Sequence, residues 1–513
     1  MTRLWWLPGR KRNPDRHPGI QFTQRAVAAE DPEQRESMET GAHLPDEGSD
    51  RSSRLSAATG PRILVWHSVS GRGSGRHRPR TTIVKLSQTA LTAVLGAAIF
   101  ACGGPPAEQD DPAAVAEPTT GRWTKFRTHR YDPDLTAEQR EEIERLESLG
   151  YASGSTPAPQ ERDVIHYDRD RAWPGLNLYT SGHAPEALLI DMEGRVLHRW
   201  RHEFREVWED FPVGDELAST TFWRRARVYP NGDLLAIFDG LGLIKIDRDS
   251  QLLWSHPGRE HHDLEMMQDG RIYVLTREAR LVPRIPIDQP ILEDFISILT
   301  PDGEEVERIS IFEAFENSPY WERWQEKMAR ARYTLGANTI EVLDGRIADR
   351  APAFGAGNVL VSLLTVDTIG VIDLEQRRFV WARTGGYVAQ HDPTVLPNGN
   401  LMLFDNQGHK GRSRVFEVDP VDGQVAWLYA DSPEHPFFSR TCGTAQRLPN
   451  GNTLITESDG GRAFEVTPGE EIVWEFSNPH RAGTDGEYIA TLFELLRLPA
   501  DFPADWAETD APR

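Results

Sequence analysis

A short unit recurs from about residue 175 onward and limits the folds that this sequence can adopt. Each unit opens with a Pro-Asn-Gly or related turn, runs through two apolar strands of which the second ends near Ile or Val, and finishes at a Trp. The turn Asn and the Trp lie 23, 23, 29 and 24 residues apart in four units, which run from Asn231 to Trp254, Asn358 to Trp381, Asn398 to Trp427 and Asn450 to Trp474. Asn-Gly turns between apolar strands are typical of β-hairpins.

Two further units are incomplete. The segment from Ile190 to Trp200 keeps only the second half of the unit, and the segment from Gln268 to Gly303 lacks the Trp. Six units of about 40–50 residues predict an all-β fold, a six-bladed β-propeller with four strands per blade. We assign this propeller to residues 161–505, and we expect the segment from Glu487 to Pro499 to return and close the ring against the first blade.

One unit is interrupted by residues 312–333, where the strand pattern stops. Trp321, Trp324 and Met328 recur there at helical spacing, which predicts a helical insertion between two blades. Such an insertion lies on a face of the propeller, where it either covers the channel as a lid or packs on the rim as a buttress.

The region before the propeller has the composition of a leader and a tether. Residues 1–83 are rich in Arg, Ser and Pro without a periodic apolar pattern, which indicates disorder or an over-extended gene start. Within residues 84–101, an uncharged apolar run at 88–101 follows basic residues and ends directly before Cys102, which predicts a lipoprotein-type signal peptide with Cys102 lipidated, or a plain signal peptide with a chance cysteine. Residues 102–160 form a tether with one short helix. We therefore expect an exported, periplasmic or cell-envelope lipoprotein, with the outer membrane favoured.

Charge is distributed unevenly and excludes one class of partner. Residues 1–101 carry 15 Lys and Arg against 9 Asp and Glu, whereas the remainder carries 42 against 70. Because so acidic a body repels a phosphate backbone, we expect no nucleic-acid partner.

Polar residues that precede the turns fall on the innermost strand of each blade, which lines the central channel. One blade offers His261-His262-Asp263 there and another offers Gln390-His391-Asp392. A channel imidazole can act as nucleophile or general base, with the neighbouring carboxylate setting its tautomer; alternatively, each His-Asp pair only satisfies polar backbone at the start of its strand. Two histidines and two aspartates on separate blades lack compact ligand spacing, so we expect no metal and no cofactor.

At these residues the sequence resembles the bacterial arylsulfotransferase family over about residues 190–480. The resemblance rests on HHD at 261–263, QHDPTVLPNGNLMLFDN at 390–406, and further segments at 338–345, 362–373, 413–420 and 443–466. It implies a six-bladed propeller that moves a sulfuryl group from a phenolic sulfate ester to a phenol without a nucleotide donor. It further implies a sulfohistidine intermediate at His391, with His262 stabilising the transferred group. We place Asn338, Asp392, Asp263 and Arg414 among the substrate-binding residues.

Two positions depart from the family pattern. The family that the sequence resembles has a third histidine at the position of Gly336 and an arginine at the position of Leu364. Since a cation beside the transferred group is worth a factor of about 10²–10³ in rate, this loss needs compensation, for which Arg414, Arg462 and Arg277 are candidates. The alternative hypothesis is a diverged propeller that binds a ligand or protein at the cell envelope. A quinoprotein dehydrogenase is a third reading, but it would need more blades and a cofactor-calcium constellation that this sequence lacks.

Overall fold

Six antiparallel sheets, five with four strands and one with five, follow one another along the chain in the computed structural model, which describes residues 156–211, 217–283, 285, 289–331, 334–483 and 485–507. The first strands of neighbouring sheets contact one another in series, and strand Asn177–Ser181 makes the last link by contacting Arg225–Val228, so each sheet is one blade around a central channel. The predicted six-bladed β-propeller is therefore confirmed.

The blades are numbered in chain order, and their strands are given from the channel outwards. Blade 1 consists of Leu492–Arg497, Asn177–Ser181, Glu186–Ile190 and Val196–Arg201, and blade 2 of Arg225–Val228, Leu234–Phe238, Gly242–Ile246 and Leu252–His256. Blade 3 consists of Glu260–Met266, Ile272–Arg280, Ile291–Leu299 and Glu305–Ser310, and blade 4 of Ala337–Val342, Val359–Leu363, Thr368–Asp373 and Arg378–Thr384. Blade 5 consists of His391–Val395, Leu401–His409, Arg412–Val418 and Val425–Ala430, and blade 6 of Thr444–Arg447, Thr453–Glu457, Arg462–Val466 and Ile472–Ser477.

The ring is closed at both ends of the described chain. Strand Leu492–Arg497 pairs with Asn177–Ser181 and becomes the innermost strand of blade 1, as the sequence predicted. Strand Asp163–Tyr167 adds to the outer edge of blade 6. A small separate sheet joins Thr156–Pro157, Tyr488–Ile489 and Arg481–Ala482. Backbone pairing thus ties the first and last blades together twice.

Buried charges hold the closing strand on both sides. Glu494 forms an ion pair with Arg225 of blade 2 at 2.5 Å and a second one with Arg227, which lies on the same strand as Arg225. On the other side Arg497 lies 3.1 Å from Glu465 of blade 6. Each of these five side chains is almost completely buried, so each charge depends on its partner.

The repeated Trp residues join neighbouring blades at their outer strands. The indole of Trp200 in blade 1 donates to the carbonyl of Gly232 in the first turn of blade 2 at 2.9 Å. The indole of Trp474 in blade 6 donates to Met192 in blade 1 at 3.0 Å. Gly232 has a φ of 91°, which the tight turn requires and which a residue with a side chain rarely adopts. The indoles of Trp200 and Trp474 therefore each fix one blade to a turn of the next.

Helices Ile311–Glu316 and Trp321–Arg330 form the predicted insertion between blades 3 and 4. Phe315 is fully buried, and its ring centroid lies 5.2 Å from that of Phe379 on the outer strand of blade 4. Trp324 and Met328 are buried in the same cluster. These contacts make the insertion a buttress that fills the space between two blades. The remaining helical segments are short and comprise Phe204–Val207, Ala218–Thr220, Pro352–Phe354 and Leu364–Val366.

The predicted leader, the lipidation site Cys102 and the short helix of the tether all lie outside the described residues. Within the part of the chain that the structure describes, none of the helices is both long and apolar enough to cross a lipid bilayer.

Candidate active site

One position recurs at the channel end of every blade, five residues before the residue at which the first turn begins. The turns begin at Tyr229, Met267, Leu343, Leu396 and Leu448 for blades 2 to 6, and in blade 1, where no turn joins the first two strands, Leu498 after the first strand takes the same place. The recurring position is therefore occupied by Phe493, Arg224, His262, Asn338, His391 and Gly443 in the same order. Because equivalent positions of a propeller converge on its axis, one cation, two imidazoles and one amide meet in the channel.

His391 is held in one tautomer by a side chain on the neighbouring strand. Its Nδ1 lies 2.8 Å from Oδ1 of Asn406 and 3.1 Å from the carbonyl of Ala389. Asn406 donates through Nδ2 to the carbonyls of Ser439 and Cys442, so its Oδ1 must face the ring. Both neighbours of Nδ1 are acceptors, which places the proton on Nδ1 and a lone pair on Nε2.

Nε2 of His391 is the atom that this arrangement leaves for chemistry. It is buried, and no described residue gives it a hydrogen bond. Burial lowers the pKa of His391 to about 4; the hydrogen bond to Asn406 opposes that shift, and the positive charges of Arg224 and Arg225 add to it. At neutral pH the ring is therefore an uncharged imidazole.

The two aspartates beside these histidines are bonded to the backbone of neighbouring blades. Oδ2 of Asp392 accepts the backbone N–H of Ala445 in blade 6 at 2.9 Å, and Oδ2 of Asp263 accepts that of Ile340 in blade 4 at 3.2 Å. A β-bulge after His391, where Asp392 has a φ of 52°, turns the carboxylate towards the next blade. The expectation that a neighbouring carboxylate orients His391 is thus wrong, and Asn406 does so instead. Both aspartates tie one blade to the next.

His262 is linked to its neighbour and to a buried carboxyl group. Its Nδ1 lies 2.8 Å from Nδ1 of His261, and Nε2 of His261 lies 3.5 Å from Oδ1 of Asp294. Burial lowers the pKa of both histidines well below its usual value, and the positive charge of Arg277 adds to this. The nearby His391 also lowers the pKa of His262, so the two imidazoles share one electrostatic environment.

Arg224 brings a positive charge across the channel towards His391. Its guanidinium lies over the ring of Phe493 in blade 1, with 5.2 Å between Cζ and the ring centroid. Its Nη2 donates to Sγ of Cys442 in blade 6 at 3.6 Å. The carbonyl of that same Cys442 is bonded to Asn406, the partner of His391. A cation therefore stands beside the candidate nucleophile although Leu364 does not provide one.

The two departures from the family pattern lie against each other. Gly336 accepts the backbone N–H of Leu364 at 3.0 Å, and a Cβ at Gly336 would lie 3.6 Å from that of Leu364. Gly336 has a φ of 65°, so a histidine there would strain the backbone. The two replacements therefore occur together, and this corner of the channel carries no imidazole or guanidinium from either position.

The arginines predicted as possible compensating cations fall in different places. Arg414 is bonded to Asp405 at 2.8 Å and to the carbonyl of Gly386, so its contacts lie with the loop that leads to His391. Arg462 pairs with Glu475 and Glu457 on the outer part of blade 6. Arg277 packs near His261 and His262. A substrate-binding role for Arg414 stays a prediction, and so does that of Asn338, which donates to the carbonyl of Gln390 directly before His391 at 2.9 Å.

Sequence reasoning missed Arg224 and Asn406. Arg224 stands seven residues before Asn231, the same spacing that separates His262 from Asp269 and His391 from Asn398. That spacing could have identified it. Asn406 carries no such signal, because its contact with His391 depends on how the first two strands of blade 5 pair.

A group of possible metal ligands lies elsewhere, on blade 1 and the segment that leads into it. His183, Glu186 and His480 have ligand atoms within 4.8 Å of one another. Arg199 already donates to both carboxylate oxygens of Glu186 at 2.6 Å, so this carboxylate is neutralised by a cation of the chain itself. Two stacked imidazoles beside a neutralised carboxylate make a poor metal site.

Comparison with known proteins identifies the family of the chain. The solved structures that the chain resembles include a protein of unknown function from Bacteroides caccae, which is 12% identical with a TM-score of 0.42 over 63% of this chain and 98% of that one. They also include the β-propeller domain of Myceliophteria thermophila Cps50 (Swd1), which is 13% identical with a TM-score of 0.36 over 65% of this chain and 100% of that one. A comparison with curated proteins gives no match. Residues 226–479, which run from blade 2 to the end of blade 6, match the model of the arylsulfotransferase (ASST) family, and by this match the chain belongs to that family.

Proposed function

We propose that this protein transfers a sulfuryl group from a phenolic sulfate ester to a phenol through a sulfohistidine at His391. The observation that carries the proposal is the orientation of His391. Its Nδ1 is bonded to Asn406 at 2.8 Å, and its buried Nε2 faces no hydrogen-bond partner among the described residues. A neutral imidazole with an unengaged lone pair is what an attack on sulfur requires.

The first half of the reaction forms one bond and breaks one. The lone pair of His391 Nε2 attacks the sulfur of the aryl sulfate, and the S–O bond to the ring breaks with its electron pair leaving on the phenolate. The product is an N-sulfo ring in which the proton stays on Nδ1 and is hydrogen-bonded to Oδ1 of Asn406. Because the amide oxygen of Asn406 does not take up this proton, the ring stays positively charged and remains a good leaving group.

In the second half the acceptor phenol attacks the same sulfur. Its oxygen forms the new S–O bond, the N–S bond breaks with its electrons returning to Nε2, and the phenol proton passes to a base in the channel. His391 is then restored to its starting state. Transfer through one site in two steps gives ping-pong kinetics.

Arg224 supports the proposal because the transferred group carries negative charge on its oxygens. The guanidinium reaches Cys442, which is bonded to the same Asn406 that orients His391. A preorganised cation in a buried site is worth a factor of about 10²–10³ in rate. The alternative of a propeller that only binds ligands was based on Gly336 and Leu364, and a cation from another blade removes much of that argument.

The direct test is incubation with p-nitrophenyl sulfate and a phenol acceptor. We expect p-nitrophenol release that depends on the acceptor, and in the absence of acceptor a stoichiometric burst with one sulfo group on the peptide that contains His391. His391→Ala should remove both signals. His198→Ala, which changes a histidine on the outermost strand of blade 1, is the matched control and should leave them in place. Release of p-nitrophenol at equal rates from the parent and His391→Ala would refute the proposal.

We further propose that the enzyme works in the cell envelope, anchored through lipid on Cys102. The support is the apolar run of residues 88–101 that follows basic residues and ends at that cysteine. A nucleotide-independent sulfuryl donor suits this location, since the reaction would need no cytosolic cofactor.

A further inference from the structure

Three buried side chains of blade 3 form a line that ends in the candidate active site. Oδ1 of Asp294 lies 3.5 Å from Nε2 of His261, a buried nitrogen without a hydrogen bond from the described residues, so this contact has to tighten for a proton to pass. Nδ1 of His261 lies 2.8 Å from Nδ1 of His262, a hydrogen-bond distance. The exposed fractions of Asp294, His261 and His262 are 3%, 1% and 8%, so bulk water has little access to the line. The reaction through His391 leaves these contacts without a role.

We propose that Asp294, His261 and His262 form a proton relay that protonates the leaving phenolate and later deprotonates the acceptor phenol. This inference rests on the proposed sulfuryl transfer and assigns its acid and base. His262 is the catalytic residue, because its Nδ1 is turned to His261 and its Nε2 therefore lies on the side of the ring away from that neighbour. His261 and Asp294 are positioning residues that act through it.

The relay moves one proton without charging either imidazole. In the acid state Asp294 carries a proton, His261 carries one on Nδ1, and His262 carries one on Nε2. His262 gives its Nε2 proton to the phenolate and takes the Nδ1 proton of His261, which in turn takes the proton of Asp294 on Nε2. Asp294 then carries the negative charge, and each imidazole has changed tautomer. The acceptor phenol reverses all three transfers.

The acid-base properties of the three groups suit these transfers. Burial raises the pKa of Asp294 to about 7, opposed by the hydrogen bond from the N–H of Ala337 and by the positive charge of Arg277. A group with a pKa near neutrality can both give and take a proton under ordinary conditions. The two histidines have pKa values well below the usual value, so both are neutral when Asp294 titrates.

Charged groups from every packed element face the relay. Arg277 on the second strand of blade 3 and Arg224 of blade 2 disfavour a protonated imidazole, while Glu293 on the strand of Asp294 raises the pKa of that carboxyl. Asp239 of blade 2 lies 3.9 Å from Nδ1 of His262 and favours the tautomer with the proton there. That tautomer is the one produced when His262 has given its Nε2 proton away.

The test compares two donors that differ in the basicity of the leaving phenolate. Phenyl sulfate releases a phenolate with a pKa of about 10, like that of tyrosine, and needs the acid. p-Nitrophenyl sulfate releases a phenolate stabilised by its nitro group and does not. Asp294→Asn, which keeps an acceptor for the backbone of Ala337, and His261→Gln should each lower the burst rate with phenyl sulfate about 10- to 100-fold. With p-nitrophenyl sulfate both variants should stay within about threefold of the parent.

Glu417→Gln is the matched control, since it neutralises a buried carboxylate of blade 5, which pairs with Arg447 and is not among the groups that face the relay. It should leave the ratio of the two burst rates unchanged. Equal losses with both donors, or no loss with phenyl sulfate, would overturn the relay while the parent still forms sulfo-His391. A parent that forms no sulfohistidine with either donor would instead refute the proposed function itself. The burst rate of the parent with phenyl sulfate should also fall as pH rises through about 7, and Asp294→Asn should abolish this dependence.

Discussion

Oδ1 of Asn406 lies 2.8 Å from Nδ1 of His391, and this amide, rather than the adjacent Asp392, decides which nitrogen of the imidazole is available. The amide itself cannot rotate, because its Nδ2 donates to the carbonyls of Ser439 and Cys442. An amide keeps the proton on the ring throughout the cycle, whereas a carboxylate could remove it. Orientation by a neutral acceptor is consistent with a histidine whose sulfo form must react again.

Asn406→Ala should lower kcat about 10- to 100-fold, because the ring then divides between two tautomers and loses its fixed direction. The Michaelis constant for the donor should change little, since Asn406 is not expected to contact it. Steady-state kinetics with p-nitrophenyl sulfate measure both. Asn400→Ala, which alters an amide bonded to Glu417 near the first turn of blade 5, is the control and should behave like the parent. Full activity of Asn406→Ala would show that Asn406 does not orient the nucleophile.

Arg224→Met should lower kcat about 10²- to 10³-fold by removing the cation beside the sulfuryl oxygens. Arg224→Lys should recover part of this loss, because the charge is kept and the planar fork is not. The comparison that decides the assignment is Arg414→Met. Arg414 holds Asp405 and the carbonyl of Gly386, so its loss should loosen the loop before His391 and cost less activity than the loss of Arg224. A larger loss for Arg414→Met would make Arg414 the cation of the site.

Much of this architecture follows from short-range sequence signals. The Asn-Gly turns and the Trp residues identify the blades, and four of the indoles bond to a turn of the next blade, those of Trp200, Trp254, Trp427 and Trp474. The spacing from turn to channel identifies His262 and His391, and it applies equally to Arg224.

Contacts made by strand pairing are harder to foresee. Asn406 meets His391 only because of the register of two strands, and the bulge at Asp392 turns that carboxylate away from the ring. The line from Asp294 through His261 to His262 likewise needs three positions on two strands to face one another. No local pattern records such a relation, so the nucleophile was predictable and its supporting side chains were not.

Neutral His391 predicts an unusual dependence on pH. Burial holds its pKa at about 4, below the ordinary value of 6.5, so the nucleophile stays unprotonated from neutral pH down to about 4. The burst rate with p-nitrophenyl sulfate should therefore be flat between about pH 5 and 8 and fall only near pH 4. A burst rate that falls about tenfold between pH 7 and 6 would contradict a neutral His391.

The same shift has a consequence for stability. The unfolded chain binds more protons at this histidine between about pH 4 and 6.5, so its contribution to the free energy of unfolding decreases as pH falls through that window. Denaturant titrations of the parent and His391→Gln should show this dependence reduced in the variant.

Lipidation at Cys102 predicts a specific change in distribution between cell fractions. In the bacterial host, the parent should take up a labelled fatty acid and sediment with membranes, whereas Cys102→Ala should lose the label and much of the membrane association. Cys442→Ala is the control, because that cysteine is buried in the propeller and should have no influence on labelling. Fatty-acid uptake that persists in Cys102→Ala would exclude this residue as the anchor.

The ion pairs of Glu494 should contribute strongly to the stability of the closed ring. Glu494 lies on the last strand and forms ion pairs with Arg225 and Arg227, and all three side chains are buried. Removing one partner of a buried pair leaves an uncompensated charge, so Glu494→Ala should lower the free energy of unfolding by about 3–5 kcal/mol. Glu326→Ala removes an exposed partner of Arg330 and should change it by less than about 1 kcal/mol. Equal stability of the two variants in guanidinium titrations would show that backbone pairing alone closes the propeller.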